Sequence, residues 1–278
     1  MSLEIQRLSA FPFEGRGGNP AGVVLDSPSL SDAEMLAIAA EVGYSETVFL
    51  TKHSNTRFKV RYFSPEMEVD FCGHATIAAG VALGNSHGAG GYVFETNTGD
   101  VNVNVTSLVD GFAAELTSHQ GTTSPIEDEV LAEILAILGW PKSVFSNGHM
   151  PMISNAGNSH PIIVVDTPKT LKYLDYNFEA LKELCRTNKW PTLQLIAQES
   201  ENVWLSRNPF AFGGVYEDPA TGSAAAAFGV YLRETGKIAP GHTLFIKQGF
   251  EMGQPCLLKV VVGEDECKVS GTAIEIRI

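Results

Sequence analysis

The chain has 278 residues and a mass of 29.9 kDa, which is enough to bury a full core as one large domain or two smaller ones. Its 44% hydrophobic and 18% charged residues form a normal globular mixture and exclude general disorder. With 19 Lys and Arg against 32 Asp and Glu, the net charge of −13 argues against nucleic acid and anionic membranes as partners. A small anionic substrate is still compatible with this charge where backbone dipoles create a local positive potential.

The chain contains four cysteines, Cys72, Cys185, Cys256 and Cys267, and no CxxC pair. So few cysteines in so long a chain favour a reducing compartment. No basic segment followed by a long apolar run opens the sequence, and no stretch approaches the roughly 18 apolar residues that a membrane span requires. We therefore expect a soluble cytoplasmic protein.

Short alternating runs, which are typical of strands, dominate the sequence. In chain order, the first half predicts strands at 5–11 and 21–25, a helix from the capping box at 31–34 to a glycine stop at 43, strands at 46–50 and 58–63, a helix at 75–83, and strands at 92–95, 101–105 and 112–116. The second half predicts a helix at 127–138, a strand at 161–165, a helix at 177–186, strands at 192–197 and 203–206, a helix at 224–234, and strands at 243–246, 256–262 and 267–270. This pattern favours an α+β fold over a βαβ repeat.

An internal repeat relates the two halves. Residues 72–83 and 221–232 agree at six of twelve positions, among them both glycines. A weaker match aligns Gly18-Asn19 with Gly157-Asn158. The order and offset of the matches indicate a duplicated module whose copies face each other across a crevice, the alternative being chance similarity between two Ala/Gly-rich helices.

Each repeated helix begins after a turn of small residues at 72–74 or 221–223. Glycine lets a ligand approach the backbone, and the first N–H groups of a helix are unpaired and carry partial positive charge. Two such helix ends directed at one crevice would hold a carboxylate without an arginine. The competing interpretation is that small residues only let each helix pack tightly against a sheet.

Three polar side chains lie near these turns. Glu46 follows a helix stop and begins a strand, where it is either an ordinary solvent-facing residue or a general acid/base. His74 lies in the first helical turn and is either a capped, half-buried histidine or part of a site. Asp218 precedes a proline, so ordinary turn chemistry competes with a functional role.

Cys72 lies where a helix N-terminus favours the thiolate, so it is a candidate base or nucleophile. Its counterpart in the repeat is Thr221, however, and a two-thiol proton relay would lack its second thiol. A small buried side chain is therefore the favoured interpretation. The seven histidines show neither HExxH nor a paired spacing suited to zinc, and no nucleotide-binding motif occurs, so we predict neither a metal nor a cofactor.

Five segments, in this order, resemble the signature segments of the PhzF-like isomerase family of phenazine biosynthesis: GNPAGV (18–23), SET (45–47), FCGHAT (71–76), EDPATGSA (217–224) and QGFEMG (248–253). The resemblance implies the diaminopimelate epimerase-like fold. In that fold two pseudo-symmetric domains each wrap a strand-rich sheet around a central helix, and the active site lies in the cleft between them. The domains would be residues 1–118, to which the final strand at 269–278 returns, and residues 119–268.

The resemblance also implies roles for individual residues. Glu46 would be the catalytic acid/base, and His74, Asp218 and Ser223 would complete the catalytic set by positioning and polarising the substrate. The substrate-binding residues would be Asn19, Gly73, Ala75, Thr76, Gly222 and Gly249. The implied activity is a cofactor-independent isomerase that moves a proton on a small carboxylate-bearing, dihydro-hydroxyanthranilate-like substrate, and the implied assembly is a homodimer.

One departure and two alternatives accompany this interpretation. The family's late segment commonly reads Gly-Arg-Pro, whereas Gln254 occupies the arginine position here, which leaves the substrate open. The first alternative is an amino-acid epimerase or racemase that uses Cys72 with another base. The second is a non-catalytic small-molecule-binding protein with the same fold.

Overall fold

A computed structural model describes residues 3–27 and 30–277. Residues 1, 2, 28, 29 and 278 of the predicted N-terminal domain lie outside these ranges. Contacts between residues divide the chain into two compact units. Unit 1 takes the described residues up to Thr117 together with the segment that begins at Ser270, and unit 2 takes Ser118–Val269.

Unit 1 is built mainly from strands. In chain order its elements are β1 (Gln6–Ala10), β2 (Asn19–Val24), α1 (Asp32–Val42), β3 (Glu46–Lys52), β4 (Arg57–Phe63), β5 (Glu68–Val69), α2 (Gly73–His87), β6 (Gly90–Thr96), β7 (Gly99–Leu108) and β8 (Gly111–Thr117).

Unit 2 mixes strands with more helices. Its elements are β9 (Thr122–Pro125), α3 (Asp128–Leu138), β10 (Met152–Asn155), β11 (Ser159–Val165), α4 (Pro168–Lys172), α5 (Phe178–Asn188), β12 (Gln194–Ser200), β13 (Val203–Arg207), α6 (Gly222–Glu234), β14 (Thr243–Gln248), β15 (Cys256–Val262) and β16 (Cys267–Glu275). The last strand begins in unit 2, and its second half belongs to unit 1, where it pairs antiparallel with β1.

The strand directions of the two units follow the same order. In unit 1, β1 to β4 and then β6 to β8 lie side by side, with β2–β3 and β4–β6 parallel and the other neighbours antiparallel. In unit 2, β10 to β15 lie side by side, with β11–β12 and β13–β14 parallel and the other neighbours antiparallel. In each unit the second parallel pair is joined by the repeated helix, α2 or α6.

Both repeated helices are buried on every side. α2 is buried from His74 to Gly84 and packs against β1, β2, β3, β7 and β8. α6 is buried from Ala224 to Leu232 and packs against β9, β10, β11 and β15. A helix that is apolar all round is stable only inside a core, and here small residues let the strands approach closely. The packing interpretation of these helices is therefore correct, and it does not exclude a site at their N-terminal ends.

The strongly patterned predictions are confirmed. α1 begins with the capping box of Ser31 and Glu34 and ends at Gly43 in the left-handed conformation (φ 71°). Four short elements, β5, β9, β10 and α4, were not predicted, because elements of two to five residues carry too little periodicity. Within the described part of the chain, no helix combines the length and the apolar character that crossing a membrane requires.

Candidate active site

The start of α2 is fixed by a buried chain of hydroxyl groups. The Thr76 hydroxyl donates to the backbone carbonyl of Cys72 (2.7 Å), which uses its only proton. The Tyr62 hydroxyl on β4 lies 2.7 Å from Thr76 Oγ1 and must therefore be the donor in that contact. Tyr62 and Thr76 thus anchor the turn at Cys72 to the sheet.

Thr76 does not fit its predicted role in substrate binding. Its side chain is fully buried, its hydroxyl is used by Tyr62 and Cys72, and its N–H donates to the Cys72 carbonyl at 3.0 Å. The hydroxyl and the N–H of Thr76 therefore both stabilise the start of α2.

Glu46 and His74 come together at this helix start. Glu46 is the first residue of β3, three residues beyond Gly43, and its Oε2 lies 3.4 Å from Nε2 of His74 in the first turn of α2. Their side chains are 13% and 6% exposed, so the pair is largely removed from water. Glu46 Oε2 makes no hydrogen bond within the described chain, which leaves this carboxylate oxygen available to an incoming proton. The His74 ring is buried, not half-buried as in the first of the two interpretations given for it.

Cys72 and Ser45 complete the surroundings of the His74 ring. Cys72 Sγ lies 3.3 Å from Nδ1, and Ser45 Oγ lies 3.5 Å from Nε2. The Cys72 side chain is buried and does not cap the helix. One ring nitrogen thus faces a thiol, while the other faces a carboxylate and a hydroxyl.

Glu46, Cys72 and His74 also form a potential metal-binding set. One ligand atom from each residue lies within 4.8 Å of the others. Carboxylate, thiolate and imidazole are donors that zinc accepts. The spacing of histidines does not reveal this set, because it has a single histidine and its members come from two separate parts of the chain.

Asn19 lies beside this part of unit 1. It is the first residue of β2, pairs with Ala10 of β1 and is buried. Gly73 and Ala75 occupy the first turn of α2 together with His74, and the first N–H groups of a helix lack intrahelical acceptors. Gly73 and Ala75 therefore share α2 with His74, and Asn19 lies on β2, the strand that pairs with β3, where Glu46 is.

In unit 2, the turn before α6 is held by a side-chain amide. The Thr221 hydroxyl donates to Asp218 Oδ2 (2.6 Å), and Gln248 Oε1 at the end of β14 accepts from the Thr221 N–H (3.2 Å). Gln248 Nε2 donates to the Asp218 carbonyl oxygen (2.7 Å) and to Thr221 Oγ1 (3.0 Å). One carboxylate oxygen of Asp218 therefore has the ordinary structural role of closing a turn.

Gly249 follows Gln248 in a conformation that requires glycine. Its φ is 76°, and a Cβ there would lie 2.9 Å from the carbonyl oxygen of Pro219. Its own carbonyl accepts from the Gln254 N–H at 3.0 Å, so Gln254 closes this turn through its backbone. Gly249 thus allows the 249–254 turn to pack against the loop that carries Asp218.

Ser223, the second residue of α6, contacts a histidine that the sequence analysis assigned no role. Ser223 Oγ lies 3.1 Å from His160 Nε2, and His160 Nδ1 lies 3.1 Å from both the carbonyl oxygen and Oγ1 of Thr192. His160 is completely buried, and burial lowers its pKa to about 4. One signal pointed to it, because His160 follows the Gly157-Asn158 segment that repeats Gly18-Asn19.

A buried ion pair lies next to Asp218. Arg207, the last residue of β13, binds both carboxylate oxygens of Glu217, and its Nη1 donates to the Leu171 carbonyl at 2.9 Å. Their side chains are 8% and 2% exposed. Arg207 is therefore committed to Glu217, and the adjacent Asp218 is held by its N–H, which donates to the Asn208 carbonyl at 3.0 Å.

Comparison with known proteins gives a consistent result. The sequence model of the phenazine biosynthesis-like protein family, PhzC-PhzF, matches residues 8–277. A protein of Clostridium acetobutylicum described as an uncharacterized isomerase is 32% identical, over 97% of this chain and 95% of its own length.

Solved structures show the same fold. The phenazine biosynthesis protein of the PhzF family from Bacillus anthracis superposes with a TM-score of 0.88 at 23% identity, covering 100% of this chain and 98% of that one. A hydroxyproline epimerase of Agrobacterium vitis, solved with bound trans-4-hydroxy-L-proline, superposes with a TM-score of 0.64 at 11% identity, covering 98% and 91%. The expected family is confirmed: the chain belongs to the phenazine biosynthesis-like PhzC-PhzF family.

Proposed function

We propose that this protein is a cofactor-independent isomerase in which Glu46 moves a proton between two carbon atoms of a small carboxylate-bearing substrate. The observation that carries the proposal is the Glu46–His74 pair. Its carboxylate oxygen is buried, lies 3.4 Å from the imidazole Nε2 and has no hydrogen-bond partner in the described chain. The relative from Clostridium acetobutylicum, which is described as an uncharacterized isomerase, supports the same class of reaction.

The chemistry requires no redox step. Glu46 as carboxylate removes a proton from a substrate carbon, so that the C–H bond breaks, an O–H bond forms and the electron pair enters the substrate's conjugated system. The carboxylic acid proton of Glu46 exchanges with solvent while the intermediate is bound, and Glu46 then delivers a proton to another carbon on the same face, which restores the carboxylate. A conjugated ring acid of the dihydro-hydroxyanthranilate type meets this requirement, because its double bonds spread the developing charge. His74 beside the carboxylate and the partial positive charge at the start of α2 would stabilise that charge.

We assign the unit 2 residues to substrate binding. Gly222 would offer its backbone N–H at the start of α6, and Asp218 and Ser223 flank that start. Their partners within unit 2 hold both side chains in place, which favours a positioning role over proton transfer.

Glu46→Gln tests the assignment, because it removes the titrating group and keeps the size of the side chain. We expect deuterium incorporation from D2O into trans-2,3-dihydro-3-hydroxyanthranilate to fall by about 10²- to 10⁴-fold, as measured by NMR. Glu66→Gln is the matched control, since Glu66 lies exposed in the turn after β4 and should leave exchange unchanged. Exchange at the wild-type rate in a folded Glu46→Gln protein would remove Glu46 from the mechanism.

One observation favours a second candidate, an epimerase that uses a thiol. Cys72 Sγ lies 3.3 Å from His74 Nδ1, a contact through which the imidazole could accept the thiol proton. If Cys72 is the base, Cys72→Ala should abolish exchange and substrate should protect the wild type from iodoacetamide. If Glu46 is the base, Cys72→Ala should retain most of the exchange.

A further inference from the structure

The hydrogen bonds around His160 fix which of its ring nitrogens carries the proton. Nδ1 lies 3.1 Å from the backbone carbonyl oxygen of Thr192, and a carbonyl oxygen only accepts hydrogen bonds. An unprotonated Nδ1 would place two lone pairs against each other in a fully buried site. Nδ1 must therefore carry the proton, and in the neutral ring Nε2 then carries a lone pair.

This tautomer decides the direction of the Ser223 hydrogen bond. Nε2 can only accept, so the Ser223 hydroxyl donates its proton to His160 across the 3.1 Å contact. The Ser223 hydroxyl then has only its oxygen lone pairs left for a further hydrogen bond, so it can act only as an acceptor. Ser223 is partly exposed, whereas His160 has no exposed surface, so the lone pairs rather than the ring meet the solvent-accessible side.

We propose that His160 is a positioning residue that makes Ser223 a hydrogen-bond acceptor toward the substrate, so that this position selects an ammonium, amino or hydroxyl group and rejects a carboxylate. The inference rests on the proposed function in taking Ser223 to contact substrate. It goes further in stating which substrate group lies there.

A buried amide network holds His160 and Thr192 in this arrangement. Asn208 Nδ2 donates to Gln194 Oε1 (2.6 Å) and to Thr192 Oγ1 (3.2 Å), while its Oδ1 accepts from Ser206 Oγ (2.7 Å). With one donor hydrogen for each of its two acceptors, Asn208 has a fixed amide orientation. The network joins the segments around β12 and β13 to β11, so the polarity at Ser223 is set by groups that the substrate does not touch.

A serine beside a histidine also resembles an activated nucleophile, and the two interpretations can be separated. A general base must hold the serine proton near neutral pH. Burial lowers the pKa of His160 to about 4, which makes the ring a weak base. A backbone carbonyl, unlike a carboxylate, adds no negative charge to stabilise an imidazolium. The arrangement therefore orients Ser223 without activating it.

Nitrogen NMR of histidine-labelled protein tests the tautomer without any substrate. We expect His160 to show a protonated Nδ1 and an unprotonated Nε2 from pH 5.5 to 8, and the Nε2 resonance to shift in Ser223→Ala. His53→Gln, which removes an exposed histidine of unit 1, assists assignment and should leave the His160 signals unchanged. A protonated Nε2 would overturn the proposal, and because this readout needs no turnover, it stands apart from the test of Glu46.

Calorimetry with two probes tests the selectivity. 3-Hydroxyanthranilate and benzoate share the carboxylate and differ in the amino and hydroxyl groups that Ser223 would select, and we expect the wild type to bind the former about tenfold more tightly, the ratio for one hydrogen bond. In His160→Leu the Ser223 hydroxyl is free to rotate, so the ratio should fall toward one, and Ser223→Ala should lose it without disturbing the buried network. Two outcomes would overturn the proposed selectivity. One is equal affinities in the wild type, which includes no measurable binding of either probe. The other is an unchanged affinity ratio in both folded variants.

Discussion

The two units repeat one order of strand directions but equip the start of the central helix differently. At the second position of α2, His74 faces the carboxylate of Glu46 from β3. At the second position of α6, Ser223 faces the buried neutral ring of His160 from β11. The repeated scaffold therefore determines where a side chain is presented, and the neighbouring strand determines whether that side chain faces a carboxylate or a neutral imidazole.

The units also differ in how they place charge. In unit 1 the Arg57–Asp100 pair is largely exposed, with side chains 40% and 49% accessible. In unit 2 the Arg207–Glu217 pair is almost completely buried. Exposed pairs contribute little because water and salt screen them, whereas breaking a buried pair leaves an unpaired charge in a medium of low polarity.

Arg207→Met should therefore cause the largest loss of stability among the changes considered. It leaves the Glu217 carboxylate buried without its partner, and we expect the free energy of unfolding to fall by about 3–5 kcal/mol in urea titrations. Arg57→Met is the matched control and should change the midpoint only slightly. Similar losses in the two variants would mean that the difference in burial has no energetic consequence.

His160 predicts a pH dependence that belongs to unit 2. Its pKa is about 4 in the folded protein, against 6.5 in the unfolded chain, so between these values the unfolded state binds more protons. Stability should accordingly fall as the pH drops from 6.5 to 4, by about 3 kcal/mol from this group alone. The measurement is the free energy of unfolding against pH for wild type and His160→Gln. The variant should lose that part of the slope, while His53→Gln should keep it; parallel curves for wild type and His160→Gln would contradict the prediction.

The long helices and strands could be predicted from the sequence because the apolar–polar pattern of each one is contained in its own residues. The ends of α1 were predicted equally well, since Ser31, Glu34 and Gly43 act locally. The helix predicted at 75–83 extends instead from Gly73 to His87. The Glu46–His74 contact was anticipated through the family motifs rather than through the pattern of residues, which favoured a solvent-facing Glu46. His160 and Ser223 are 63 residues apart, and no local signal pairs them. Their contact depends on how β11 and α6 pack, which spacing alone does not show.

The repeated glycines offer a comparison in which the two units should behave alike. Gly80 in α2 and Gly229 in α6 occupy aligned positions of the repeat. A Cβ on Gly80 would lie 2.7 Å from the Cβ of Ala114 on β8, and a Cβ on Gly229 would lie 2.9 Å from Sγ of Cys267 on β16. Both distances are shorter than a Cβ atom tolerates, so the close packing of helix against sheet depends on glycine at both positions.

Replacing either glycine by alanine sets two effects against each other. Alanine improves helix propensity by about 1 kcal/mol, while overpacking costs about 1–3 kcal/mol, so both variants should be destabilised by up to about 2 kcal/mol. Gly80→Ala should be the more damaging, because the Ala114 methyl cannot rotate away, whereas the Cys267 thiol can change rotamer. Asn85→Ala, at an exposed position of α2, is the control and should stabilise slightly in the same urea titrations. A gain in stability from Gly80→Ala would show that the helix has room to shift, and that small residues in α2 do not serve packing.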